Sequence, residues 1–419
     1  MNHKLLTREY FIPFILVTIM FFMWGLANNM TDTLLAAFKR IMSMTDFQTS
    51  WIQIAFYGSY FCLALPAALL IRKYQYKSGI LVGLGLFILG ALLFYPASQT
   101  MQYSHFLIAL FVLAGGLSVL ETTANPYVLV MGSEGTAIRR LNLAQSFNPI
   151  GSMTGVLLSK LFILSQLNVA SEAERAALSE AQLLAMQEQE LAAVMGPYVG
   201  VAFLLMAIWL VIAWKKMPKG TDTSVMPPLG ESFRRLLSNK NYLQGVVAQF
   251  FYVGAQIGVW SFTIRYVMQE LGLDESGASN YYLAALALFA LSRFVFTGLL
   301  SRFGAGQLLS LSAFIAFVCL LVVILGSGMA GVVALTLVSG CMSLMFPTIF
   351  GLASEGTGQD HKLAGSGLIM AILGGAVLTA LQGKVSDMTG SINLAFVIPL
   401  ICFAVVAFYG YSNSKRMAA

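Results

Sequence analysis

Pro126-Tyr-Val-Leu-Val-Met-Gly-Ser133-Glu134-Gly135 and Pro347-Thr-Ile-Phe-Gly-Leu-Ala-Ser354-Glu355-Gly356 repeat one pattern at an offset of 221 residues. Each opens on a proline within an apolar run and closes on Ser-Glu-Gly. A second echo, Ala68-Leu-Leu-Ile-Arg72 against Gly298-Leu-Leu-Ser-Arg302, lies at an offset of 230. Self-similarity at long range marks a chain built from repeated units. Offsets near half the chain favour two parallel halves over an inverted five-plus-five repeat.

The composition says what those halves are made of. Of 419 residues, 58% are apolar and only 10% charged, with a mean hydropathy of +0.79. Soluble chains run near ~45–50% apolar and ~25% charged, so an ordinary cytosolic protein is excluded. A disordered chain is excluded too, since it needs low hydrophobicity and high charge. At about 35 residues per span and connection there is room for about twelve membrane helices.

Apolar stretches predict spans 1 to 12 near 11–38, 47–71, 78–98, 105–131, 141–167, 192–214, 242–269, 278–301, 306–327, 329–353, 363–387 and 392–412. Each echo joins a span to the one six later. The long polar break at 215–239, with Lys215, Lys216, Lys219, Pro227, Pro228, Arg234 and Arg235, divides six spans from six. The expected fold is an all-α polytopic membrane protein of twelve transmembrane helices in two six-helix bundles. Residues 1–214 and 240–419 are the bundles, and 215–239 is a cytoplasmic loop. A second polar insertion, 171–190, is charged and alanine-rich. Ser171 and Glu174 have capping-box spacing, which predicts a short surface helix outside the membrane.

The net charge is +6, from 24 Lys and Arg against 18 Asp and Glu. Most of the basic residues fall at span ends on the side of the N-terminus. That bias predicts an inner-membrane protein with both termini cytoplasmic, and no nucleic-acid partner. The apolar run from Phe11 outlasts the 7–15 residues of a signal-peptide core, so it reads as span 1. Cys62, Cys319, Cys341 and Cys402 sit inside apolar spans with no CxxC spacing and read as packing residues. Glycine pairs such as Gly151 and Gly155 would let helices approach closely.

Charge within the spans is rare and therefore informative. An ionisable group at mid-span costs about 2.5–3.5 kcal/mol on insertion scales, so it needs a partner, water or a function. Of 18 acidic residues, 16 fall in termini, loops or span ends, and the two that do not are Asp32 in span 1 and Glu121 in span 4. Asp32 shares a helix face with Asn28, and Asn29 lies beside them. A carboxyl in a low-dielectric cavity can take and lose a proton as its exposure changes. Glu121 is followed by Thr122, Asn125 and Pro126, and Pro126 frees a backbone carbonyl that needs a cavity or a neighbouring helix. At the 221 offset Glu121 corresponds to Met342, so the acid belongs to one half alone.

Span 5 adds Asn142, Gln145 and Asn148, and span 7 adds Gln256 and Trp260 on one face. Amides give a polyol paired donors and acceptors, and an aromatic plate stacks on its C–H face. Arg293 in span 8 is expected to cap carbonyls or close a gate. Arg265 is expected to snorkel or pair with Glu270, and Lys160 to lie near the outer surface. No phosphate-binding Gly-Lys-Ser/Thr loop occurs. His3, His105 and His361 lie at span ends or termini, so neither an enzyme, a metal site nor a cofactor is expected.

These residues carry a resemblance. Asn28-Asn29-Met30-Thr31-Asp32, Leu120-Glu121-Thr122-Thr123-Ala124-Asn125-Pro126, Arg140-Leu-Asn142-Leu-Ala-Gln145-Ser-Phe-Asn148, Val253-Gly-Ala-Gln256 and Trp260-Ser261 resemble the fucose/galactose/glucose symporter family of the major facilitator superfamily. The likeness continues through Pro347-Thr-Ile-Phe350 and Val385-Ser-Asp387. It implies a major facilitator fold and a proton-coupled importer of a hexose or deoxyhexose such as L-fucose, galactose or glucose, working by alternating access as a monomer. By motif, Asp32 would be the acid whose protonation drives turnover. Glu121 would contact sugar and sense the proton. Asn29, Gln145 and Asn148 would line the cavity from one half, with Gln256 and Trp260 opposite. Phe346 stands where the family pattern has a tyrosine, and Thr31 where it has an asparagine, and both changes bear on which sugar fits. Rival readings are sodium coupling through Asp32, Asn28 and Asn29, a drug-efflux antiporter, and a sugar sensor without flux.

Overall fold

The structure, a computed structural model, describes residues 5–41, 46–100, 102–162, 174–175, 177–218 and 227–418. Among these residues, ten helices are long and apolar enough to cross a membrane. One of them, Ile54–Thr100, runs for 47 residues, about twice what one crossing needs. It is broken at Gln75, whose φ of 71° and ψ of 171° belong to a region that favours glycine. That single residue turns one apparent helix into spans 2 and 3. Another crossing, span 5, is made of two shorter helices, Ala137–Gln145 and Phe147–Phe162, which meet at Ser146. Counted this way the chain crosses twelve times.

Span 1 is Phe11–Ile41, span 4 Tyr103–Leu129 and span 6 Glu180–Trp214. In the second half, span 7 is Lys240–Leu271, span 8 Glu275–Leu299 and span 9 Ala305–Leu325. Span 10 joins Gly328–Met342 to Met345–Ser354. Span 11 runs over His361–Met370, Ala371–Leu373 and Gly374–Thr389, and span 12 over Ile392–Ala395 and Val397–Ala418. A ten-residue amphipathic helix, Leu229–Ser238, precedes span 7.

Prolines set the breaks in spans 5 and 10. A proline removes the hydrogen bond to the carbonyl four residues earlier and pushes against it. Pro149 thus frees the Gln145 carbonyl beside the break at Ser146, and Pro347 frees the Ser343 carbonyl beside the break before Met345. The last carbonyls of span 4 are held differently. Buried Arg140 donates Nε–H to Val128 O at 2.7 Å, and also reaches Leu129 O and Leu5 O.

The duplication is visible in the packing. A Cβ on Gly151 of span 5 would meet the Phe22 carbonyl of span 1 at 1.9 Å, and one on Gly374 of span 11 would meet the Phe250 carbonyl of span 7 at 2.0 Å. Backbones therefore touch at the same place in both halves, where only glycine leaves room.

One expectation is corrected, and one alternative of another is excluded. The insertion at 171–190 is not a separate surface helix through its end. From Glu180 it is continuous with span 6, and the capping box is formed by Ser179 and Gln182, with Ser179 N–H donating to Gln182 Oε1 at 3.2 Å. Ser171 lies outside the described residues. Arg265 does not pair with Glu270. Its guanidinium lies 5.2 Å from the centroid of the Phe262 ring, while Glu270 accepts from Asn393 Nδ2 at 2.9 Å and from the Gly328 N–H. Two amide donors on neighbouring helices satisfy that carboxylate without a cation.

Candidate functional site

A cavity of about 240 Å³ lies between the two halves. Span 1 contributes Trp24, Asn28 and Asn29, span 2 Tyr57 and Tyr60, span 4 Glu121, and span 5 Gln145 and Asn148. Opposite them stand Gln256 and Trp260 from span 7, Tyr282 and Arg293 from span 8, and Phe346 from span 10. The lining brings together Asn29, Glu121, Gln145, Asn148, Gln256, Trp260, Phe346 and Arg293, all singled out from the sequence. Pro126 does not reach the cavity. It is buried beside Gly365 of span 11, one turn beyond Glu121. Asp32 lies on span 1 one turn past Asn28, but its side chain, like those of Thr31 and Lys160, is outside the described residues, as is His3.

Glu121 is 2% exposed. Tyr60 and Trp24 line the cavity beside this carboxyl, Tyr60 next to Glu121 and Trp24 next to Tyr60. Its Oε2 has no partner among the described residues, nor does Asn28 Oδ1. Buried acceptors of this kind are rare in folded proteins, and at a cavity wall they mark where a ligand's hydroxyls can bind.

The amides around Glu121 are partly committed. Gln145 Nε2 donates to Asn125 Oδ1 at 2.7 Å, Asn148 Nδ2 to the Phe21 carbonyl at 3.2 Å, and Asn29 Nδ2 to the Gly25 carbonyl at 3.2 Å. Each bond fixes one end of an amide and orients the rest of the group. The Trp260 indole donates to Ser339 Oγ at 3.3 Å and packs edge-on against Phe289. Phe346 lies 6.4 Å from the Tyr252 ring. One wall is therefore polar and acidic, and the other is largely aromatic.

On the side of the chain termini the cavity is closed by contacts between the halves. Arg293 donates Nε–H to Ser343 O at 2.5 Å and Nη1–H to Gln145 O at 3.0 Å. These are the two carbonyls that Pro347 and Pro149 free, one in each half. Asn142 Nδ2 donates to Thr348 Oγ1 at 3.2 Å, and Ile138 packs on Gly351. Nearer the ends of the spans, Lys362 Nζ donates to Gln75 Oε1 at 3.2 Å, and the Tyr76 hydroxyl bonds His361 Nε2. Arg293 thus both caps carbonyls and links the halves.

The sequence reading missed Tyr60, Trp24, Tyr57 and Tyr282. In an apolar run an aromatic residue looks like lipid-facing surface. The available signal was position: Trp24 and Asn28, and Tyr57 and Tyr60, are one turn apart on faces that turn inward.

Comparison with known proteins agrees with this geometry. Residues 14–378 match the model of the Major Facilitator Superfamily. The chain is 41% identical to an L-fucose-proton symporter of Haemophilus influenzae, covering 99% of each. It is 33% identical to a glucose/galactose transporter of Brucella abortus, over 97% of this chain and 95% of that one. Among solved structures it superposes on a Major Facilitator Superfamily transporter, FucP, in the outward conformation, with a TM-score of 0.92 and 39% identity over 97% of this chain and 99% of that one. The proton:xylose symporter XylE shares the fold alone, with a TM-score of 0.71 at 8% identity. This chain belongs to the Major Facilitator Superfamily, in the family of the L-fucose-proton symporters and glucose/galactose transporters.

Proposed function

We propose that the protein imports a monosaccharide, a hexose or deoxyhexose, together with a proton. It works by alternating access between its two bundles in the bacterial inner membrane, with both termini in the cytoplasm. The observation that carries the reading is Glu121: it lines the cavity beside Tyr60, and its Oε2 is buried with no partner among the described residues. A sugar hydroxyl donates to that oxygen, the amides of Gln145 and Asn148 take neighbouring hydroxyls, and Trp260 offers a face to the ring. The relatives named for L-fucose, glucose and galactose support this substrate class.

Coupling is assigned to Asp32 and Glu121. Protonating Asp32 lowers the cost of enclosing it as the cavity closes, and bound sugar supplies Glu121 with hydroxyl partners. The doubly loaded form then reorients. Such turnover makes and breaks no covalent bond, so we assign no catalytic residue and no cofactor, and the working unit is the monomer. A cavity of about 240 Å³ with an acidic, amide-rich wall also suits one sugar ring better than the drug-sized ligands that fill ~300–1,000 Å³ sites.

The test is sugar-evoked proton uptake in proteoliposomes, with L-fucose, D-galactose, D-glucose and D-mannose competing against one labelled sugar. Alkalinisation of the outer medium with one or more of these sugars is expected, independent of sodium. Uptake that follows sodium at fixed pH would replace the proton by sodium, and binding without flux would make the protein a sensor.

A further inference from the structure

The helix Leu229–Ser238 carries a face that the fold does not use. Ser232 and Leu236 are buried against the bundles. Leu229, Phe233 and Leu237, spaced by four and so aligned on one stripe, are 44%, 39% and 64% exposed. At about 100° per residue this stripe is centred about a quarter turn from the buried face, so it looks sideways, away from the molecule. Arg234 is exposed about a quarter turn further on.

We infer that this helix lies in the membrane interface, with the apolar stripe at the acyl boundary and Arg234 and Lys240 on anionic lipid headgroups. Three observations fix that occupant. Leu243 and Val247 are exposed on the first turns of span 7, so exposed apolar residues lead from the helix directly onto a membrane-spanning helix. The level is that of the headgroups, since exposed Trp214, Tyr74 and Tyr411 ring the same end of the molecule, and such aromatics gather at the membrane–water interface. The charge is complementary as well. Arg234, Lys240, Lys215 and Lys216 are exposed at this end, whereas Arg235 is taken up by Asp360 at 2.7 Å. A short helix with an apolar stripe and flanking cations is the pattern that lies in an interface rather than crossing it.

The helix is also tied to both halves. Arg72 of span 2 donates Nη1–H to Ser232 Oγ at 3.2 Å and Nη2–H to the Pro227 carbonyl, and Arg235 holds Asp360 at the start of span 11.

The experiment uses the full chain in phosphatidylcholine vesicles with and without phosphatidylglycerol, and needs no transport. Nitroxide labels are placed at positions 229, 233 and 237, and at 231 as the solvent control, in a background lacking the native cysteines. Labels on the stripe are expected to collide more with oxygen than with a water-soluble nickel chelate, and the label at 231 the reverse. Nickel-accessible labels at 233 and 237 overturn the proposal. Lipids retained by the unlabelled protein are then compared by native mass spectrometry. Preferential retention of phosphatidylglycerol is expected, reduced about fivefold in R234Q, the size expected of one basic residue at an anionic surface. Equal retention of the two lipids, or no change in R234Q, overturns the assignment to anionic headgroups.

Discussion

Arg293 and Pro149 act on the same atom from opposite halves of the protein. The proline leaves the Gln145 carbonyl without its helical donor, and the Arg293 guanidinium supplies one across the interface at 3.0 Å. On its own side Arg293 does the same for the Ser343 carbonyl freed by Pro347. A single buried cation therefore completes both helix breaks only while the halves are closed at this level. If the bundles separate here, the Gln145 carbonyl must find water.

Arg293→Ala should accordingly weaken closure on the terminal face. A hydrogen bond from a charged donor contributes about 1.5–3 kcal/mol, so the ratio of closed to open forms should fall roughly ten- to hundredfold. A cysteine at Ile138, packed on Gly351 in the closed form, should then react faster with a water-soluble maleimide. An unchanged rate would show that Asn142–Thr348 and the contacts nearer the surface suffice.

Tyr60→Phe removes the hydroxyl beside Glu121 at the cavity wall and keeps the ring. Glu121 then loses a neighbouring polar group at the binding wall. The KM for sugar should rise several-fold while the maximal rate changes little, because the change falls on the cavity wall and leaves the Arg293 closure intact. Trp24→Phe, which removes the indole N–H beside Tyr60, should produce a smaller shift in the same direction. A fall in maximal rate at unchanged KM would instead place Tyr60 in the gating motion.

The repeated Ser-Glu-Gly segments give a pH dependence. Burial, with a smaller contribution from the charge of Glu134 in the other half, raises the Glu355 pKa to about 7. An acid whose pKa is higher folded than unfolded holds its proton more tightly in the folded state, so its contribution falls as pH rises from about 4.5 to about 7. Glu355 is exposed in the static structure, so water screens much of this effect and the shift in Tm is expected to be small. Thermal melts of Glu355→Gln should show a Tm above that of the parent at pH 8 and close to it at pH 4. Parallel melting curves at both pH values would contradict the assignment.

Close packing predicts a sharp contrast among glycines. Gly151→Leu and Gly374→Leu place side chains where carbonyls already sit, and either should abolish well-folded protein on size-exclusion chromatography. Gly58→Ala meets nothing within 4 Å and should leave the Tm nearly unchanged.

Much of this is legible in the sequence alone. Hydropathy located the spans, the Pro…Ser-Glu-Gly echo paired the halves, and the scarcity of charge within spans picked out Glu121. Other features depend on what hydropathy does not encode. Gln75 splits spans 2 and 3 by its backbone conformation, although the polar residues around it already suggested a turn. The break at Ser146 was hidden because span 5 reads as one apolar run, even though Pro149 was in view. The Trp24–Tyr60–Glu121 group needs three helices in their observed rotations, and rotation about a helix axis is set by packing among neighbours that a single strand of text does not show. Residues 180–190 read as surface because they are charged, yet they extend span 6 as one helix, with Glu190 buried against Arg175 at 2.9 Å.

The most direct test measures two activities of Asp32→Asn and Glu121→Ala side by side: accumulation of labelled sugar against a gradient, and equilibrium counterflow, which moves no net proton. Asp32→Asn should lose accumulation and retain counterflow, while Glu121→Ala should lose both. Accumulation by Asp32→Asn, or undiminished counterflow by Glu121→Ala, would contradict the account.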